Sequence, residues 1–243
     1  MKWALTAGLL VCATHSVQAH TFSVSAKSKY VLAEGIVVYN DPVMQSNLHL
    51  DFPRGFYANV WWSLGLNGTE PSLRHSRFAL DYSIGWGKEW HEFRVNVGAG
   101  YLDLSDQDSF GGEDAARPYG EVKREFALTR TQRLVPFLNV EGHIPIEQGG
   151  EELNGVHALF GVEHQWEFFP ACSLLNKFGW LYDSGTHRGL DSGFLGHYDF
   201  WLHWEIVPSV FIDLPTLQVI FPLTVHDERK TWYTFGGSLT YSF

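Results

Sequence analysis

The sequence predicts an all-β fold, a transmembrane antiparallel up-and-down β-barrel of about twelve strands with both termini periplasmic. Three observations carry that expectation. The closing stretch Thr231–Phe243 alternates, with Tyr233, Phe235, Leu239, Tyr241 and Phe243 on one phase and Thr234, Gly236, Ser238, Thr240 and Ser242 on the other. A soluble sheet would turn such an aromatic face to a core, whereas a barrel in lipid turns it outward and keeps the small polar face for its lumen. Period-two segments recur along nearly the whole chain, and helix-period segments do not. The connections between them alternate between short and long, as they do when every second turn lies on the same side of a membrane.

Before the first strand, Met1-Lys2 is a short positive region, Trp3 to Ala13 is mostly apolar, and Val17-Gln18-Ala19 fits a small-residue cleavage site. That apolar run is too short to span a bilayer as a helix. Residues 1–19 therefore read as a removed signal peptide and 20–243 as one barrel domain. Losing Lys2 with no acid moves the formal charge from −10 to −11. The acidic balance argues against nucleic acid as a partner. Of the two cysteines only Cys172 would survive, which excludes an intramolecular disulfide and a thiol zinc cluster. Aromatic residues make up 16% of the chain, including ten Trp, a level suited to two interfacial girdles.

The strands follow in order. Thr21 to Ala33 is the first. Val43 to Phe52 sets Met44, Leu48, Leu50 and Phe52 outward against Gln45, Asn47, His49 and Asp51. Phe56 to Leu66 is the cleanest, with Phe56, Ala58, Val60, Trp62 and Leu64 opposite Tyr57, Asn59, Trp61 and Ser63. Ser76 to Trp86 places Phe78, Leu80, Tyr82 and Ile84 opposite Arg77, Asp81 and Ser83, and Trp90 to Leu102 places Phe93, Val95 and Val97 opposite Arg94, Asn96 and Gly98. Tyr119 to Thr129 has Val122, Phe126 and Leu128 against Glu121, Lys123 and Glu125. Leu134 to His143 has Leu138 and Val140 against Asn139, Glu141 and His143, and Val156 to Glu167 has Phe160, Val162 and Trp166 against His157, Glu163 and Gln165. Cys172 to Asp183 sets Phe178, Trp180 and Tyr182 against Lys177 and Asp183, and His197 to Val207 sets Tyr198, Phe200 and Leu202 against Asp199, His203 and Glu205. Val210 to Phe221 is nearly all apolar, contains Pro215 and shows no readable phase. The C-terminal strand is the twelfth.

Connections after even-numbered strands are short, such as Pro53-Arg-Gly55, Gly87-Lys-Glu89 and Pro208-Ser209, and those after odd ones are long and rich in Gly, Pro or charge. The acidic loop Ser105–Asp114 lacks the regular ligand positions of a calcium-binding hand and reads as a solvated loop facing lipopolysaccharide.

The segments Val24–Gly35, Gly55-Phe-Tyr-Ala-Asn-Val-Trp-Trp-Ser63 and Leu80-Asp-Tyr-Ser-Ile-Gly-Trp-Gly87 resemble the TorF-type porins of Gram-negative bacteria, with Glu34-Gly35 where Arg-Gly would be expected. The resemblance covers about the first hundred residues. It implies a small outer-membrane channel without indicating its cargo. At the other end of the chain, the terminal strand ending in Phe243 resembles the insertion signal of bacterial outer-membrane barrels, which implies the barrel-insertion machinery as a partner.

A barrel of twelve strands falls between those filled by their own side chains and those enclosing an open channel. The inward charges expected to form a pore constriction are Arg77, Asp81, Arg94, Glu121, Lys123, Glu163, Lys177 and Glu205. Paired across strands they could equally plug the lumen as a salt-bridge network. A column of small inward residues, Gly85, Gly98, Gly100, Gly161, Gly179 and Gly236, could leave room beside that charged wall or serve strand curvature. The leading expectation is a narrow porin-like channel for small ions or solutes in the outer membrane, in contact with outer-membrane lipid and lipopolysaccharide and needing no cofactor. Two alternatives stay open: a lipid-modifying outer-membrane enzyme, and a plugged structural or adhesive barrel acting through its loops. For the enzyme, His75-Ser76 sits at a loop–strand junction, but neighbours on a strand point to opposite faces, and no Gly-x-Ser-x-Gly elbow occurs. The inward His143, His157, His203, Glu141, Glu163 and Glu205 also carry the donor types of a zinc, nickel or copper site.

Overall fold

Every strand outside the chain's first and last connects to its sequence neighbour by antiparallel pairing, and the first pairs with the last, so no edge is left open. The computed structural model describes residues 18–31, 37–66, 78–103, 114–146, 154–184, 193–223 and 230–243. Within these the wall consists of β1 (Gln18–Lys27), β2 (Val43–Asp51), β3 (Phe56–Gly65), β4 (Phe78–Trp90), β5 (Phe93–Asp103) and β6 (Ala115–Arg124). It continues through β7 (Gln132–Pro145), β8 (Gly155–Phe169), β9 (Cys172–Asp183), β10 (Gly193–Val207), β11 (Val210–Pro222) and β12 (Trp232–Ser242). A short piece, Phe126–Ala127, carries β6 on past Glu125 in unchanged register with β7. This is a closed twelve-stranded barrel, in which each backbone donor and acceptor at membrane depth can be met by a neighbouring strand. No helix among the described residues is long and apolar enough to cross a membrane.

The alternation sorts side chains as lipid and lumen require. Ile84, Val97, Leu138, Val156, Leu239 and many others of their phase are exposed on the outer surface. Exposed aromatics collect at both rims. Phe56, Trp90, Phe93, Phe126, Phe168, Phe169 and Trp204 lie beside the short turns, and Phe78, Tyr182, Phe194 and Tyr233 lie beside the long connections. Two such rings are the interfacial girdles of a membrane barrel, whose amphipathic or flat rings favour the headgroup level. Both ends of the wall lie at the short-turn rim, where Gln18 pairs with Asp51 and Ser242 donates to the carbonyl of Ser209.

The short turns are tight enough to force unusual backbone. Arg54, His91 and Ser209 take positive φ, and Gly55 lies at φ 86 against the carbonyl of Gly87. A side chain at position 55 would collide with that carbonyl, so glycine is required there for space as well as for conformation.

Several elements differ from the sequence expectation. β4 runs on to Trp90 instead of ending at Trp86, so Gly87-Lys-Glu89 lies within it and the turn falls at His91-Glu92, and β10 starts at Gly193 instead of His197. β1 stops at Lys27 instead of running to Ala33, and Tyr30–Val31 leaves the wall to pair with Val37–Tyr39 in a separate two-stranded ladder. The sixth strand starts four residues earlier than expected, at Ala115 in place of Tyr119, with Pro118 inside it. Pro118 is tolerated because the ladder to β7 skips it: pairing runs from Glu141↔Tyr119 straight to Ile144↔Ala116. The segment Val210 to Phe221 has no single phase because a bulge divides it. Both of its ladders shift register between Asp213 and Thr216. Phe211 and Asp213 therefore face the lumen on odd numbers, and Thr216, Gln218 and Ile220 face it on even ones. His75-Ser76, Arg77, most of the acidic loop and the proposed leader up to Val17 lie outside the described residues.

Candidate functional site: the lumen

From the long-connection rim inward, the lumen has an apolar layer, then charged tiers. Val43, Ala79, Leu102, Ala115, Leu181, Leu195 and Ile220 point in from their strands near that rim and are each 2% exposed or less. Six of them are covered by the segment after β1. Tyr30 packs on Ala79, Leu102 and Ala115 with its ring 5.4 Å from that of Trp61, while Val31 joins Leu181, Leu195 and Ile220. Two consecutive residues thus touch opposite walls, β4–β6 and β9–β11, and the bore is bridged at this level.

Below the bridge lies the first charged tier. Arg117 of β6 donates to Asp81 of β4 and, through Nε at 2.6 Å, to Glu141 of β7. Glu141 Oε1 also receives Nε2 of His143 at 2.6 Å. Each of the three ionised groups keeps about a fifth to a quarter of its side-chain exposure, so one guanidinium is shared by two carboxylates in a confined but wet space.

A second tier crosses four strands. Lys123 lies 3.2 Å from both Glu121 and Glu163, and Lys177 lies 4.0 Å from Glu163 with its ammonium 4.7 Å from the centre of the Phe137 ring. Lys177 is paired in the ladder with Asp199, which takes a hydrogen bond from Gln218 and also feels Lys27. Nearer the short-turn rim, Asp213 accepts from Ser238 at 2.9 Å and pairs with His203 Nδ1 at 2.7 Å.

Of the charges singled out from the sequence, Asp81 belongs to the first tier, and Glu121, Lys123, Glu163 and Lys177 form the second. Arg94 and Glu205 are exposed towards the short-turn end and appear in neither, and Arg77 is outside the described residues. The group that organises the first tier, Arg117, lies just before the sixth strand as the sequence predicts it, from Tyr119. Its parity with Tyr119, Glu121 and Lys123 was the available signal.

The glycine column is filled along most of its length, while Gly100 lines open space. A Cβ at Gly85 or Gly98 would strike Tyr57 or Tyr119, whose hydroxyls bond at 2.8 Å across the inner wall. Gly161 and Gly179 accommodate Phe137, and Gly236 accommodates Lys27. Space remains elsewhere: a cavity of about 550 Å³ lined by Gln45, Asn47, Tyr57, Asp81, Arg117 and Asn139, and another of about 350 Å³ lined by Asp199, Trp201, Asp213 and Gln218. They share Ser23, Ser25 and Lys27 of β1, so polar space extends around much of the bore below the bridge. The amide oxygens of Asn47 and Asn139 are buried there without a protein partner, which suits a wet lumen.

The architecture recurs among solved structures. The KdgM porin aligns with a TM-score of 0.58 at 11% identity, covering 92% of this chain and 99% of that one. An outer membrane channel from Pseudomonas putida F1 aligns at 0.55 and 10% identity, covering 93% and 96%. LpxR from Salmonella typhimurium aligns at 0.56 and 8% identity, covering 92% and 100%. The fold is that of outer-membrane porins and their barrel neighbours. No family model matches the sequence, and no curated protein matches it.

Proposed function

We propose that this chain is an outer-membrane channel of the porin type, passing small polar or ionic solutes through a narrow lumen. Within that reading the termini are periplasmic, residues 1–19 are the removed leader, and the chain is a TorF-type porin on the residues quoted above. The observation that carries the reading is the second tier: five charged side chains, Glu121, Lys123, Glu163, Lys177 and Asp199, stand on the inner wall of a closed barrel from β6 to β10, and Asp199 borders the cavity of about 350 Å³. Fixed charges of both signs at a constriction select by charge, because a permeating ion exchanges hydration for them. The porin fold supports the same reading.

The reading is tested by planar-bilayer recording of the refolded protein. Discrete, salt-dependent steps are expected. Lys123→Glu and Lys177→Glu should each move the reversal potential towards cation preference, whereas Arg94→Glu, at the exposed end, should move it less. A folded barrel with no conductance, or with selectivity indifferent to both lysine replacements, would exclude the channel.

A further inference from the structure

Two strands bring one carboxylate and two imidazoles together just inside the bridged rim: Glu141 and His143 of the first charged tier, and His157, which neither tier includes. Glu141 and His143 stand two apart on β7 and so share its inner face. His157 of β8 is the direct ladder partner of Glu141, and Asp183 of β9 is the direct partner of His157. The register therefore sets Asp183, His157 and Glu141 in a row across three strands, with His143 one step further towards the rim. Both histidines are buried and their ring centres are 4.6 Å apart. One donor atom from each of Glu141, His143 and His157 can be chosen so that all three lie within 4.8 Å of one another.

We infer that Glu141, His143 and His157 form a divalent transition-metal site at this end of the lumen. Two imidazoles and a carboxylate suit zinc and its neighbours, and not the all-oxygen preference of calcium or magnesium. Tetrahedral zinc with bonds of ~2.0–2.1 Å needs donors about 3.3 Å apart, a contraction that side-chain rotation supplies. The surroundings match what such ligands require. Asp183 Oδ1 lies 3.5 Å from His157 Nε2, placed to accept from the imidazole when its other nitrogen binds metal. Arg117 donates to Glu141 Oε1 and fixes the carboxylate, yet it is itself divided between Glu141 and Asp81. All three ligand residues line a cavity of about 270 Å³, which gives an ion an entry path and a fourth position for water or solute. The site does not depend on conduction, since it would hold metal in an open or a closed barrel.

The test is titration of the refolded full chain in detergent with zinc chloride by calorimetry, and with cobalt(II) by visible absorption. One ion per chain is expected, with the intense visible bands of four-coordinate cobalt. His143→Ala and His157→Ala should each weaken binding at least roughly tenfold, and Asp183→Asn by about tenfold, while His203→Ala at the opposite end should leave it unchanged. Folding of each variant is checked by its heat-modifiable migration in gel electrophoresis. Absence of binding by the folded chain, or binding that survives loss of both His143 and His157, overturns the site. If the histidine variants do not fold, the cobalt spectrum of the parent protein decides: weak octahedral bands would overturn it.

Discussion

Arg117 shows how much one side chain can hold in place. It is the shared partner of Asp81 and Glu141, which reach it from β4 and β7. Removing it leaves two carboxylates facing each other with no cation between them. Breaking such a pair typically costs about 3–5 kcal/mol, and the residual exposure here places the loss near 3 kcal/mol. Arg117→Leu should therefore lower the urea midpoint of the folded barrel, and adding Asp81→Leu and Glu141→Leu should restore most of the loss. Equal midpoints for all these proteins would show that the tier contributes nothing to stability. The inward direction of Asp81, Glu121, Lys123, Glu163 and Lys177 was readable from parity alone. Their partners were not, because pairing depends on the heights at which neighbouring strands meet, and alternation carries no information about height. The column of glycines was ambiguous for a related reason. Parity shows that Gly85 and Gly98 face inward, but only the register reveals that Tyr57 and Tyr119 come to lie over them.

At the level of the strand, the most regular segments were the most legible. Phe56 to Leu66 and the C-terminal stretch match β3 and β12 to within a residue or two, since one face meets lipid and the other water along their whole length. β11 resisted because its bulge at Leu214-Pro215 exchanges the two faces midway, so any single phase averages to nothing. That exchange makes a prediction about accessibility. Cysteines replacing Asp213 and Gln218 should both react with a membrane-impermeant maleimide through the lumen, although their numbers differ in parity, and cysteines replacing Leu214 and Val219 should react only with a lipid-soluble reagent. Labelling that followed odd and even numbers throughout β11 would exclude the bulge.

For the molecule as a whole, the decisive feature is the bridge of Tyr30 and Val31 over the bore. The sequence placed both residues in the first wall strand, because Tyr-Val-Leu continues a plausible apolar run after Lys29. Nothing local distinguishes a strand that continues along lipid from one that turns into the lumen, and the difference lies in the apolar residues waiting inside on β4–β6 and β9–β11. The bridge crosses the bore at the long-connection end, and the charged tiers lie below it. Replacing Tyr30 and Val31 by Gly should accordingly raise single-channel conductance, by roughly twofold or more, with little change in selectivity. A conductance unaltered by that double replacement would mean that current bypasses the bridge.

The foot of the bridge is fastened to the far end of the sequence. Ser28 and Phe235 exchange two hydrogen bonds, at 2.8 and 3.1 Å, and the ammonium of Lys29 lies 4.9 Å from the centre of the Trp232 ring. The stopper is thus made almost first and its anchorage last, when β12 meets β1. A nascent wall lacking its final strand has no seam and nothing to moor the stopper. Zipping the seam and corking the bore then become a single cooperative event, and a chain truncated before Trp232 should accumulate as a species that has achieved neither.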